Sequence, residues 1–421
     1  MCHKFYITNN LGGGGTNVSR FVDYHQLFQM PHIGLLLNYY YLKGVSKPVF
    51  DRPIIGKIAN YNDIRDFLND ARKTFSAQRH VSRFFTQSLD KTNLNGYMLD
   101  NGCGNIIRDF INQNKLDNQA IQGLVLPFLD FSEKLAFDFS IALDYAKKYT
   151  YKGGETENEA MQQLWNEVVS DVSMNLSLLD QTLIAKKEKD YKKGIYAPLH
   201  GFNIESFVEY LGQVKDLEIK HGEKFSGFAL GGIADSKNLP DAFWNVPAGF
   251  KKEMKTGYIV SQLCKEIRKH ESRPLHVLGA GNIYILPFII NAGASSSDCH
   301  SAWRRASYGG YNKAKDLVPL LNDQLEFIND SNALKFVRIK ELDNNVNFNN
   351  GITSELLKKL YSSSGEDFYY GEILTFYIAM QQYDLLIKFT ETKNNYLELL
   401  CSAPDINLSA DYKRMAKALN L

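Results

Sequence analysis

Asp298 and the arginine pair Arg304–Arg305 have types and spacing that could do chemistry together. They lie in one stretch, from Leu278-Gly279-Ala280-Gly281 through Asp298-Cys299-His300 to Arg304-Arg305-Ala306 and Gly309. The stretch reads as a strand ending in a tight glycine turn, then a helix, then a second strand. That second strand delivers a carboxylate and, six residues later, two guanidinium groups. A carboxylate beside a basic, glycine-flexed loop suits attack on a group attached to a phosphate backbone. Such a site needs a second acid and a binding pocket, and both must come from upstream strand ends.

The elements that could position them follow a pattern. Apolar runs ending in Gly, Asp or Asn occur at Gly34–Asn38, Tyr97–Gly102, Gly123–Asp130, Ile195–Gly201, Phe225–Gly232, Leu275–Gly279 and Ala294–Asp298, with an eighth strand expected near the start. Helical patterns fall between them; Leu135, Phe139, Ala142, Leu143 and Ala146 are spaced for one helix face. Strands alternating with helices predict an α/β fold with a parallel sheet, first of all a (β/α)8 TIM-like barrel over 1–310, with an open doubly wound sheet as the alternative. In both, polar residues at strand C-termini face the site. The segment 151–193 reads as a helical insertion. A C-terminal helical region over 311–421 is expected to hold helices at Ala314–Phe327, Ser354–Tyr361, Phe368–Phe389 and Asp411–Leu421. Gly12–Gly15 lacks the Lys-Ser/Thr of a phosphate loop and reads as a flexible loop.

Composition sets the outer bounds. The chain has 421 residues, 44% hydrophobic and 23% charged, as in globular proteins. No apolar run is long enough to span a membrane, and the first residues lack a signal-peptide core. Five cysteines form no pairing framework, so a reducing cytoplasm is expected. With a net charge of +1, nucleic acid would have to be bound through local patches. Candidates are Arg72, Lys73, Arg79 and Arg83; Lys186, Lys187, Lys189, Lys192 and Lys193; Lys251, Lys252 and Lys255; and Arg304 with Arg305.

In order along the chain, the strand ends resemble the guanine transglycosylases, which exchange a nucleobase for a 7-deazaguanine. Asn38-Tyr-Tyr-Tyr-Leu42 resembles the family's Asn-Thr-Tyr-His-Leu, and Asp100-Asn-Gly102-Cys-Gly its Asp-Ser-Gly-Gly-Phe. Asp130 stands where the family places a second base-recognition acid, and His200-Gly201 where it has Gln-Gly. Ala229-Leu-Gly231-Gly232-Ile233, Leu278-Gly-Ala-Gly281 and Asp298-Cys299 are similar to its Ala-Ile-Gly-Gly-Leu, Met-Gly-Val-Gly and Asp-Cys. Arg304, Ala306 and Gly309 fall at the family's spacing after that pair.

The resemblance implies roles. Asp298 would attack C1′ of the sugar, and Asp100 would serve as general acid/base for the departing and incoming bases. Asp130 would accept from the purine amine and N1–H, with Asp138 as its rival. The backbone of Gly231, Gly232 and Ile233 and the side chain of His200 would face O6 and the 7-position. Leu278 would cover a ring face and Asn38 would line the pocket. Arg304, Arg305, Lys192 and Lys193 would bind nucleic acid. No metal or redox cofactor is implied.

The sequence departs from the family at His200, at Ala302-Trp303 in place of Pro-Thr, and in lacking the Cys-x-Cys-x-x-Cys and His of the zinc-bearing tRNA enzymes. The last two lie where the polymer docks, which points to the branch acting on DNA. The same exchange on tRNA, a non-catalytic partner subunit and a barrel glycosidase are the alternatives. DNA or tRNA, guanine and 7-deazaguanine bases, and a second copy or partner protein are the expected partners, with no membrane.

Overall fold

The computed structural model describes residues 2–9, 31–39, 62, 66, 96–102, 118–144, 156–233, 241–299, 321, 324–327, 380, 382–403 and 406–421. Within them eight strands close a parallel barrel in chain order: β1 (Lys4–Asn9), β2 (Ile33–Asn38), β3 (Tyr97–Asp100), β4 (Phe139–Ile141), β5 (Gly194–Leu199), β6 (Gly227–Leu230), β7 (Leu275–Val277) and β8 (Ser296–Cys299). β8 pairs with β1, matching Tyr6 to Asp298, and so closes the ring. The expected α/β (β/α)8 barrel is the observed fold.

Alternation along each strand sorts the side chains into two cores. Tyr6, Leu36, Met98, Ile141, Tyr196 and Ala229 fill the barrel interior, joined by Phe139 and Leu278. The opposite faces, including Phe5, Leu35, Leu37, Leu99 and Phe228, pack outward under the helices. The interior rings need room. A Cβ at Gly34 would lie 2.7 Å from Tyr6 Cε1, so only glycine admits the Tyr6 ring there.

The fourth strand lies elsewhere than expected. Gly123–Asp130 belongs to helix α1 (Asn118–Lys134), not to a strand. Val125, Phe128, Leu129 and Ser132 are its buried positions, a helical period the continuous apolar run disguises. The next stretch reverses the expectation again. Phe139 and Ile141 point into the barrel while the Ser140 hydroxyl meets that of Ser132 on α1, a two-residue alternation in β4 rather than a helix face.

α2 (Glu157–Glu188) starts at a capping box in which Thr156 and Glu159 satisfy each other's backbone N–H. It packs between α1 and α3 (Ile204–His221), and Leu178, Leu179 and Leu183 enter the outer core. The stretch read as an insertion therefore supplies the barrel's own helix between β4 and β5. α4 (Lys252–His270) and the short α5 (Leu286–Asn291) follow β6 and β7.

Beyond the barrel, residues 382–392 (α6) and α8 (Ile406–Ala418) fall on two of the expected C-terminal helices, and α7 (Tyr396–Cys401) is a helix the sequence reading did not place; all three pack on the barrel. Tyr383 stacks on Phe5 at 4.0 Å, and its hydroxyl accepts from the Ile283 N–H at 3.0 Å. Leu321 and Phe327 form an antiparallel bridge instead of the expected helix end. The helix expected at 354–361 and the Gly12–Gly15 loop lie outside the described residues.

Candidate active site at the C-terminal mouth of the barrel

Parallel strands place every strand C-terminus at one end, so residues far apart in sequence converge there without any specific pairing between them. Thr8 (β1), Asn38 (β2), Asp100 (β3), Asp144 (after β4), His200 (after β5), Gly231 (after β6), Gly279 (after β7) and Asp298 (β8) form this ring.

Asp298 is held from both neighbouring strands, β1 and β7. Its Oδ2 accepts from Thr8 Oγ1 at 2.5 Å, and its Oδ1 from the Gly279 N–H at 2.8 Å. His276 Nε2, 3.2 Å from the same Oδ1, completes the set, while His276 Nδ1 lies 2.8 Å from Ser296 Oγ. Contacts at both ring nitrogens fix the orientation of the imidazole toward Asp298. Gly279 must be glycine to present its N–H, because its φ is +68°. Burial pushes the Asp298 carboxyl up, but His276, Thr8 and Gly279 outweigh burial and hold it below the usual carboxylate range.

Asp100 goes the other way. Burial foremost, then the charges of Asp298 and Asp144, push its carboxyl up to about 7, against the opposing hydrogen bonds from Asn38 and the Gly102 N–H. Asn38 Nδ2 donates to Asp100 Oδ2 at 2.7 Å. Asn38 Oδ1 is buried and has no hydrogen-bond partner among the described residues, an acceptor left over beside Asp100. One carboxylate stays ionised and its neighbour is poised near neutrality. That is the division a nucleophile and a general acid require.

A third acid completes the mouth, and it is not Asp130. Asp130 is exposed on α1 and ion-paired to Lys189, which rules it out as a pocket residue. Asp144 is buried instead. Its Oδ1 accepts from Asn101 Nδ2 at 2.9 Å, and its Oδ2 is 2.6 Å from His200 Nε2. Asn101 also donates to the Ala142 carbonyl at 2.6 Å, tying β3 to the end of β4. The signal was in the sequence: Phe139-Ser-Ile-Ala-Leu-Asp144 is an apolar run ending in Asp, as at the other strand ends. Asp138, the expected rival of Asp130, precedes β4 and accepts from the Tyr97 N–H at 2.7 Å, at the far end of the barrel. Thr8, Asn101, Asp144 and His276 are the site residues that sequence reasoning missed.

His200 is buried, with its ring against Gly231, where a Cβ would lie 2.6 Å from His200 Cε1. Gly232 has φ +72°. The Ile233 side chain is buried in the outer core, leaving only its backbone to the site. Leu278, partly exposed, packs on the interior cluster beneath the mouth.

The basic residues fall differently. Lys192 and Lys193 immediately precede β5, at the barrel end opposite the acids, and Lys192 pairs with Asp190. They cannot serve a polymer docked at the mouth. Lys186 pairs with Glu223, and Lys187 donates to the His221 carbonyl, so much of this run is neutralised locally. Lys251 and Lys255 pair with Asp411 and Asp241. Arg304, Arg305, Arg72, Lys73, Arg79 and Arg83 lie outside the described residues. Among the described residues no helix is long and apolar enough to cross a membrane.

Comparison of the chain with protein-family models and with curated proteins finds no match. The site's own chemistry therefore carries the functional argument.

Proposed function

We propose that this protein is a base-exchange transglycosylase, a pentosyltransferase that replaces guanine in DNA with a 7-deazaguanine such as the 7-cyano base. The observation that carries the reading is the opposed tuning of Asp298, held below its usual range, and Asp100, raised to about 7, at one barrel mouth.

Asp298 attacks C1′ of the flipped nucleotide as the C1′–N9 bond breaks, giving an aspartyl–sugar ester. Protonated Asp100 gives its proton to the departing guanine, which leaves neutral. Asp100, now a carboxylate, takes the N9 proton of the incoming 7-deazaguanine. That base attacks C1′ and returns Asp298 as a free carboxylate. Two displacements on one carbon retain configuration.

Asp144 takes the base-recognition role first expected of Asp130, as an acceptor for the amine and N1–H. Asn38 Oδ1, beside Asp100, is a second acceptor at the mouth. His200 and the backbone of Gly231, Gly232 and Ile233 face O6 and the 7-position, and Leu278 covers a ring face. The ordered strand-end motifs support the same assignment.

Purified protein should exchange labelled guanine into duplex DNA and form a trapped covalent adduct, and Asp298→Ala should do neither. Nucleosides from DNA and tRNA of cells with and without the gene separate the two polymers. Modified base found only in tRNA would overturn the DNA assignment; wild-type exchange by Asp298→Ala would overturn the mechanism.

A further inference from the structure

Cys2, His32 and Glu391 meet at the N-terminal end of the barrel, away from the acids just described. Cys2 precedes β1, His32 precedes β2, and Glu391 lies on α6, more than three hundred residues along the chain. Cys2 Sγ is 3.1 Å from His32 Nδ1 and 2.9 Å from Glu391 Oε2, and the candidate ligand atoms all lie within 4.8 Å of one another.

We propose that Cys2, His32 and Glu391 form a binding site for a zinc-type divalent cation that fastens the C-terminal helical region to the base of the barrel. The donor set decides the metal class. A thiolate with an imidazole and one carboxylate oxygen suits Zn2+, whereas Mg2+ and Ca2+ take all-oxygen sets. Three protein ligands leave a fourth tetrahedral position for water.

Surrounding contacts hold the ligands without using their metal-facing atoms. Glu391 Oε1 accepts from the His3 N–H at 2.5 Å, leaving Oε2 toward the thiol. The His32 N–H donates to Asp384 Oδ1 at 2.9 Å, about two turns along α6 from Glu391. His3 turns inward, its ring nitrogens against the Ala294 carbonyl and Ser297 Oγ, so it is not a ligand. The Phe5–Tyr383 stack fixes the same helix against the same strand. An ion here closes a loop spanning nearly the whole chain, and preferential binding to the folded form stabilises it.

The site is independent of the proposed reaction and of its polymer. Full-length protein loaded with zinc and dialysed is expected to hold one ion per chain, and Co2+ in its place should give thiolate-to-cobalt charge-transfer absorption. Cys2→Ser and Glu391→Gln should each weaken zinc binding by more than about tenfold in competition with a chromophoric chelator. Both should abolish the fall in Tm that a chelator causes in the wild type. Cys401→Ser, which leaves the three ligands intact, should behave as wild type. Zinc retained equally by Cys2→Ser, a Co2+ complex without the thiolate band, or a wild-type Tm indifferent to zinc and chelator would each overturn the proposal.

Discussion

His276 on β7 is fully buried with Nε2 3.2 Å from Asp298 Oδ1 on the adjacent strand, so one imidazole orients and sustains the charge of the proposed nucleophile. His276→Leu removes that donor and lets burial raise the Asp298 carboxyl. Because attack needs the ionised form, the acidic limb of the pH–rate profile should move upward. We expect kcat/KM near pH 6 to fall by roughly tenfold or more, with a smaller loss near pH 8. A uniform loss at all pH values would mean that His276 acts only through packing.

Asp100 as general acid makes exchange fall as pH rises through about 7. The same shift has a stability consequence of definite sign. The folded form holds this proton to higher pH than the unfolded chain, so its contribution is full below the unfolded value of 3.8 and lost as pH rises through about 7. Asp100→Asn should therefore abolish exchange yet unfold at a higher temperature than wild type at pH 8, by on the order of 1–3 kcal/mol. Calorimetry at pH 5 and 8 checks this, the difference shrinking at the lower pH.

Asp144 raises the Asp100 carboxyl as well as holding Asn101 and His200. Asp144→Asn should then do two separable things. KM for the incoming base rises, by about tenfold or more for a lost acceptor in a desolvated pocket. The basic limb set by Asp100 moves to lower pH. Loss of base affinity without movement of that limb would show that Asp144 does not act on Asp100.

Gly231→Ala puts a methyl 2.6 Å from the His200 ring and should displace it from Asp144. Overpacking of this kind costs about 1–3 kcal/mol. The expected signature is altered discrimination between 7-substituted bases, measured as the ratio of their kcat/KM values, with covalent trapping at Asp298 retained.

At the opposite end of the barrel, Arg273 binds Glu218 through both oxygens, at 2.6 and 2.9 Å, and Glu271 at 2.7 and 3.0 Å, and lies over the Phe228 ring. Burial pushes Glu271 up, but Arg273 outweighs it and holds the carboxyl at about 2. Stability from this group is present above the unfolded value of 4.5 and lost as pH falls toward 2. Arg273→Met leaves Glu218 buried without its ion pair and Glu271 with Lys215 alone, and should cost about 3–5 kcal/mol at pH 7. Denaturant titrations at pH 7 and 3 measure both effects, the variant losing less than wild type on acidification.

The sequence alone determined the barrel and most of its mouth. Most of the apolar runs end at or just before a Gly, Asp or Asn, and parallel strands bring those ends to one face, so the sequence itself places Asn38, Asp100, His200, Gly231 and Asp298 there. It misplaced β4 because continuous apolar runs do not separate a buried strand from a buried helix face. Gly123–Asp130 became α1, and with it Asp130 turned to solvent while Asp144 took its place at the mouth. Tertiary structure also decided what no spacing records. Thr8 reaches Asp298 across barrel closure, His276 reaches it from the adjoining β7, and Cys2 meets Glu391 because α6 folds beneath β1. Such partners are selected by proximity in three dimensions, and the protonation of Asp100 and Asp298 follows from the burial and charges that proximity creates.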